Sequence, residues 1–104
     1  MIRHIVLIRF KETVTSSTID AIFSDLAAIK SKLSGVLSIT SGRSESPEKI
    51  ERGYMHGFVA DFSDWAALEA YQRHPDHRSV GDRLIENAVG GLDGILVFDL
   101  KVEG

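Results

Sequence analysis

The run Tyr71-Gln72-Arg73-His74-Pro75-Asp76-His77 sets a phenol and two imidazoles around a proline, and two further histidines, His4 and His56, lie in apolar segments elsewhere. A neutral imidazole titrates near working pH and moves a proton in either direction, while a phenol can donate a hydrogen bond to a developing oxyanion. The chemistry on offer is general acid/base catalysis, with His77 and Tyr71 as the catalytic candidates. A bland reading competes with it. A histidine on a half-buried strand often satisfies a backbone carbonyl, and a tyrosine in a helical apolar stripe usually belongs to the core. Tyr71 gains weight as a candidate because a buried hydroxyl needs a partner and His77 is close in sequence.

Other chemistries fit less well. His74 and His77 have a spacing compatible with metal ligation, but Pro75 interrupts the helix that would align them, and no second paired ligand motif exists. No metal is expected. Gly90 and Gly91 follow a helix and precede a strand, the reverse of the order a nucleotide fingerprint requires, and no serine occupies a Gly-x-Ser-x-Gly elbow. No cofactor is expected either. The chain has no cysteine, which removes disulfides, thiolate metal sites and a cysteine nucleophile.

The elements that must position these groups follow from periodicity. Ile2 to Phe10 reads as a strand, with His4, Val6, Ile8 and Phe10 on one face and Arg3, Ile5, Leu7 and Arg9 on the other. From Ser17 the period changes: Ile19, Ile22, Phe23, Leu26, Ile29 and Leu33 form a helical stripe, with Ser17 and Asp20 resembling a capping box and Gly35 as the closing residue. Val36 to Ser44 reads as a second strand, and the polar run through Glu45, Pro47, Glu48, Lys49, Glu51 and Arg52 as a solvated loop or a lid. Tyr54 to Phe62 is a third strand, with Tyr54, His56, Phe58, Ala60 and Phe62 on one face. Ser63 is the expected cap of a helix in which Trp65, Leu68 and Tyr71 continue the buried stripe. His74 ends that helix, because proline disfavours helical geometry in the residue before it, and a second helix opens at Asp76 and runs to about Ala88. Ile95 to Leu100 is the last strand.

Strand, helix, strand, strand, helix pair, strand is the order of the split βαβ fold: ferredoxin-like, α+β, with a four-stranded antiparallel sheet and helices on one face. In that topology the first and third strands are the adjacent central pair, so His4 and His56 can approach each other. Two helical layers cover one side of the sheet, yet these two strands carry apolar residues on both sides. The uncovered face is expected to hold Val6, Ile8, Phe58 and Phe62. At about 25 cal/mol per Å² of apolar surface, leaving several such side chains wet forgoes several kcal/mol. A second copy placed face to face removes the penalty, so the expected assembly is a symmetric homodimer whose sheets enclose a barrel-like interior.

The bulk numbers agree with this picture and add exclusions. The 104 residues suit one domain, residues 1–104, at 43% hydrophobic and 26% charged residues. A formal charge of −3 with no basic stripe gives no case for nucleic acid, and no apolar run is long enough to span a bilayer. The first residues enter a strand pattern rather than a signal peptide, which points to a cytoplasmic protein.

Four segments together resemble the stress-responsive A/B barrel (Dabb) family. They are Ile2 through Phe10-Lys11, Gly53-Tyr54-Met55-His56-Gly57-Phe58, Ala70-Tyr71 through His74-Pro75-Asp76-His77, and Val97-Phe98-Asp99. The resemblance covers nearly the whole chain and implies a dimeric α+β barrel. One branch of the family, the plant polyketide cyclases, uses a tyrosine and a histidine in the same Tyr-x-x-His-Pro-x-His setting for an intramolecular aldol condensation. On that resemblance His77 is the base and Tyr71 orients it or holds the carbonyl. His4 and His56 line the pocket with Val6, Ile8, Phe23, Leu26 and Phe58, although Leu26 stands where the cyclase has a second tyrosine. The expected function is a homodimer that binds a small hydrophobic carbonyl or phenolic ligand in its barrel and acts as a cofactor-independent cyclase or lyase. The alternatives are a non-catalytic binding or structural barrel linked to stress, and a cofactor-free or haem-linked monooxygenase by analogy of fold.

Overall fold

The structure, a computed structural model, describes residues 1–103. The strands are β1 (Ile2–Ile8), β2 (Val36–Arg43), β3 (His56–Phe62) and β4 (Ile95–Lys101). The helices are α1 (Ser16–Ala28), α2 (Trp65–Arg73) and α3 (Pro75–Asn87), with short 3₁₀ turns at Ile29–Lys32 and Gly91–Gly94. The strands form one antiparallel sheet in the order β2-β3-β1-β4, so the expected ferredoxin-like topology and its central pair β1 and β3 are both present.

The ends of the helices differ in detail from the sequence reading. Thr15, rather than Ser17, caps α1 by accepting from the Thr18 amide at 3.2 Å. Asp64, rather than Ser63, caps α2 by accepting from the Ala67 amide at 2.9 Å. In each case a neighbouring oxygen has the better reach to an unpaired amide of the first turn. Gly35 does not close α1. A methyl group there would lie 2.4 Å from the Ala67 side chain, so the glycine is required by close packing of α2 on the chain leading into β2. Trp65, expected in the buried stripe, is 57% exposed at the first position of α2. The apolar face of that helix begins only at Leu68.

The largest correction concerns the faces of the sheet. His4, Val6 and Ile8 of β1, together with Phe58, Ala60 and Phe62 of β3, face the helices and are buried. Strand alternation separates two faces without saying which of them is covered, and both faces of β1 are apolar. The helices take the aromatic side: Phe62, Ile8 and Tyr71 pack with Ile22, Leu26 and Ile29 at the centre of the core. The open face therefore carries the alternate set, Ile5 and Leu7 of β1, Val59 of β3, and Leu96, Phe98 and Leu100 of β4. Phe98 is 55% exposed and its β4 neighbours on that face are exposed with it. An Arg3–Asp61 pair at 2.9 Å, with Ser38 also donating to Asp61, supplies the face with polar character at one end. A sheet with two apolar sides thus leaves one of them wet, with residues other than those expected.

The loop between β2 and β3 is pinned rather than loose. Ser44 donates through its hydroxyl to Glu51 and through its amide to the Met55 carbonyl, while Lys49, Arg52 and Gly53 adopt positive φ. The loop borders a depression of about 510 Å³ on the open face, lined by Ile5, Leu7, Ile50, Tyr54 and Val59. It is no lid for a pocket on the helical side.

Candidate functional site

Pro75 fixes the geometry of the site. It ends α2, and α3 restarts at once with Pro75 in its first turn and His74 as its cap, the Nδ1 of His74 accepting from the Asp76 amide at 3.1 Å. His74 is thereby used up in holding the corner. The same break leaves the last carbonyls of α2 without helical partners. One of them, Gln72, receives a hydrogen bond from Nδ1 of His77 at 3.2 Å. A carbonyl can only accept, so the hydrogen of His77 resides on Nδ1 and its Nε2 keeps a free lone pair. The ring lies against Tyr71 with centroids 4.4 Å apart.

His4 enters from the sheet. It stands directly opposite Asp99 of β4, and its Nδ1 is 2.6 Å from Asp99 Oδ1. With a carboxylate as acceptor, Nδ1 carries the hydrogen and Nε2 is the nitrogen left for other contacts. His4 lies in an aromatic cage of Phe58, Phe62 and Tyr71, with ring centroids 6.0 to 6.3 Å away. His4, Val6, Phe58, His77 and Leu84 line a cavity of about 210 Å³ between the sheet and α3, and Ile85, Leu92 and Val97 are its exposed apolar rim.

Tyr71 is completely buried, and its hydroxyl is, among the described residues, the buried side-chain polar atom without a hydrogen-bond partner. Burial pushes the phenol well above its ordinary value, so it stays a neutral donor. It sits behind the cavity wall, with its ring against both His4 and His77, rather than on the lining.

Burial lowers the His77 value below 6.5, the Gln72 bond opposes that shift, and the nearby charges of His4 and Arg78 add to it. The imidazole is thus neutral, and available as a base, at neutral pH. The sign for stability follows. The unfolded chain takes up this proton near pH 6.5 and the folded chain only at lower pH, so the contribution of His77 is full above 6.5 and is lost as pH falls toward the folded value. We expect an NMR titration of the His77 ring to give a midpoint below 6.5 and the urea midpoint to fall over the same interval. A His77 midpoint at or above 6.5 contradicts this description of the site.

The other expected site residues lie elsewhere. His56 shares the helical face with His4 but pairs with Ile8, four positions along β3 from the residue opposite His4, or roughly 13 Å at strand spacing. It does not join the cluster. It packs on Phe10 at 5.3 Å and lines, with Phe23, Asp20 and Arg43, a separate hollow of about 230 Å³. Burial and the Arg43 charge lower its value, against Asp20. Ile8 and Leu26 are fully buried core residues away from the cavity. The polar groups that converge on the cavity are therefore His4 and His77, with the Tyr71 ring behind them, and they do so inside one protomer, beneath the helices, rather than in an interior between two sheets. Asp99 was missed as a partner of His4. Its signal was an acidic residue in an otherwise apolar strand.

Among the described residues no three histidine, aspartate or glutamate side chains are grouped to hold a metal ion, and no helix is long and apolar enough to cross a membrane.

A family model of the stress responsive A/B barrel domain matches residues 2–102. A stress-response A/B barrel domain-containing protein of Arabidopsis thaliana is 27% identical over 100 residues, which are 96% of this chain and 88% of that protein. Among solved structures, a dimeric ferredoxin-like protein of unknown function from a Jannaschia species superposes with a TM-score of 0.91 at 32% identity, covering 97% of this chain and 98% of that one. The hydroxynitrile lyase of Passiflora edulis superposes with a TM-score of 0.84 at 19% identity, covering 98% of this chain and 93% of that one, a likeness of fold.

Proposed function

The chain belongs to the stress responsive A/B barrel family, and from that premise we propose that it is a cofactor-independent acid/base enzyme that makes or breaks a carbon–carbon bond next to a carbonyl. The substrate is a small hydrophobic carbonyl or phenolic compound held between the sheet and α3. The observation that carries the reading is the meeting of His77, whose Nδ1 donates to the Gln72 carbonyl and leaves Nε2 free, with the Asp99-anchored ring of His4 on one apolar cavity.

In the bond-forming direction, Nε2 of His77 takes the proton from the carbon next to a carbonyl. The resulting enolate attacks a second carbonyl carbon, whose oxygen gains the negative charge and takes the proton that His77 removed, returning His77 to its neutral form. Cleavage runs the same steps in reverse, with His77 taking the hydroxyl proton as the carbon–carbon bond breaks. His4 faces the cavity from the opposite wall, and with its Nδ1 hydrogen given to Asp99 its Nε2 is an acceptor for a hydroxyl of the substrate. Tyr71 is a positioning residue that holds the His77 ring by a tilted ring–ring contact. The lining contains no lysine or arginine, which argues against a phosphorylated or carboxylate substrate. A lyase among the structural neighbours is consistent with such chemistry on this fold. The test is turnover of a panel of aromatic β-hydroxy ketones, read as released aldehyde. Release above the rate in buffer, lost in His77→Ala, is the expected result; release at the buffer rate across the panel contradicts the proposal.

A binding protein without turnover is the second reading, favoured by the hydrogen bonds that tie up one nitrogen of each imidazole. It predicts ligand-dependent changes at His4 and His77 with no product.

The working unit is the homodimer, as in the dimeric neighbours, with the open sheet face as its interface. Phe98→Asp on that face is expected to turn the dimer into a monomer with its fold intact, because a buried unpaired carboxylate in each copy costs more than the contact returns. Light scattering behind a sizing column reads the mass. A Phe98→Asp protein that remains fully dimeric contradicts the assignment of this face.

A further inference from the structure

Gly81 stands in the middle of α3, the worst place for a glycine apart from a purposeful one, since glycine is the poorest helix former after proline. The usual reasons for a glycine are absent. Its φ is not positive, and a Cβ built on it meets no atom within 4 Å. Gly35, Gly57 and Gly94 show the contrast, since a Cβ at each would lie 2.8 Å or less from another atom. Gly81 also lies on the helix one turn after His77, on the same face, and lines the cavity that His77 lines. A helical side chain leans toward the N-terminus of its helix, so any side chain at position 81 would lean toward the His77 ring.

We infer that Gly81 sets the size of the ligand: the missing side chain is the space in which the part of the substrate next to the reacting carbonyl lies. This deepens the carbonyl reading of the cavity and rests on it for the nature of the ligand. The claim about space stands separately. The walls around that space are Phe58, Leu84 and Val97, so the group accommodated is an uncharged ring or short branched chain. At about 210 Å³ the cavity lies below the range of drug-sized sites, and filling one side of it leaves room only for the smallest ketones.

Gly81→Ala and Gly81→Leu test this on the full chain, with xenon, acetone and acetophenone as probes and the methyl signals of Leu84 and Val97 and the ring signals of His77 as readout. The expected results run in one direction. The melting temperature of Gly81→Ala rises by about 4–8 °C, because a helix former replaces glycine without a clash. Acetophenone affinity falls about tenfold or more in Gly81→Ala while acetone is little affected, and in Gly81→Leu both the acetophenone and the xenon responses vanish. A fall in melting temperature for Gly81→Ala overturns the inference, since the glycine is then needed for packing. Unchanged acetophenone binding in Gly81→Ala and Gly81→Leu also overturns it. If the wild-type protein binds neither ketone, the carbonyl reading fails, and xenon decides the rest. A xenon response present in wild type and lost in Gly81→Leu upholds Gly81 as the residue that keeps the space open. A response absent from wild type, or unchanged in Gly81→Leu, refutes that role.

Discussion

Replacing His77 by alanine is expected to lower carbon–carbon bond turnover by about 10²–10⁴-fold, the usual contribution of a positioned general base, and to leave the dimer and the fold in place. The fold survives because His77 lies at the start of α3 and is only partly buried, while the centre of the core is built from Phe62, Ile8, Ile22 and Leu26. What is lost is specific. Among the described residues the only other imidazole on the cavity is His4, whose Nδ1 is committed to Asp99 and whose place is on the opposite wall. His77→Gln separates the roles further, since an amide can still donate to the Gln72 carbonyl but has no basic nitrogen. It should keep ligand binding and lose turnover. Steady-state rates beside a sizing-column profile make the comparison, and a His77→Ala protein with wild-type kcat removes His77 from the mechanism.

Tyr71→Phe is expected to stabilise the ligand-free protein by about 1–3 kcal/mol, the cost of burying a hydroxyl with no partner, although it removes a polar group that looks catalytic. The ring is retained, so the tilted ring contacts with His77 at 4.4 Å and with Phe62 at 4.9 Å survive. If the hydroxyl finds its partner in a bound ligand or in a water held by one, the advantage of phenylalanine shrinks as ligand is added. Urea unfolding with and without acetophenone reads both effects. A Tyr71→Phe protein less stable than wild type without ligand shows that the hydroxyl is paired, and removes the argument that the site holds a donor in waiting.

How far the chain could be read in advance depended on which physical signal each feature leaves. The strands, the helices and the corner at Pro75 were legible because period and proline geometry are local. The grouping of Tyr71 with His77 came with them, since it spans one helix break. The strand order with β1 beside β3 was legible too, and what failed was which face the helices cover and which residues the register brings together. His4, Val6, Phe58 and Phe62 were assigned to the open side because alternation defines two faces and marks neither as covered. His56 was grouped with His4 because adjacent strands suggest proximity, whereas the antiparallel register puts the two four positions apart along the sheet. Asp99 stands in the sequence only as an acidic residue in an apolar strand, and its pairing with His4 follows from the β1–β4 register, 95 residues apart in sequence. Gly81 left only a weak signal, an isolated glycine inside a helical stretch, which by itself names no role. It became informative once the space beside it was visible.

The most direct test of the central claim needs no knowledge of the natural substrate. A base poised over a carbonyl compound in this cavity should remove the proton from the carbon next to the carbonyl, whether or not a carbon–carbon bond then forms. Acetophenone is incubated with the protein in D₂O, and loss of its methyl proton signal is followed by NMR. The account predicts exchange faster than in buffer, dependent on His77 and falling as pH drops below the His77 value. Exchange at the buffer rate in the wild-type protein, with acetophenone bound at His4 and His77, would contradict it and leave a cavity that binds without catalysing.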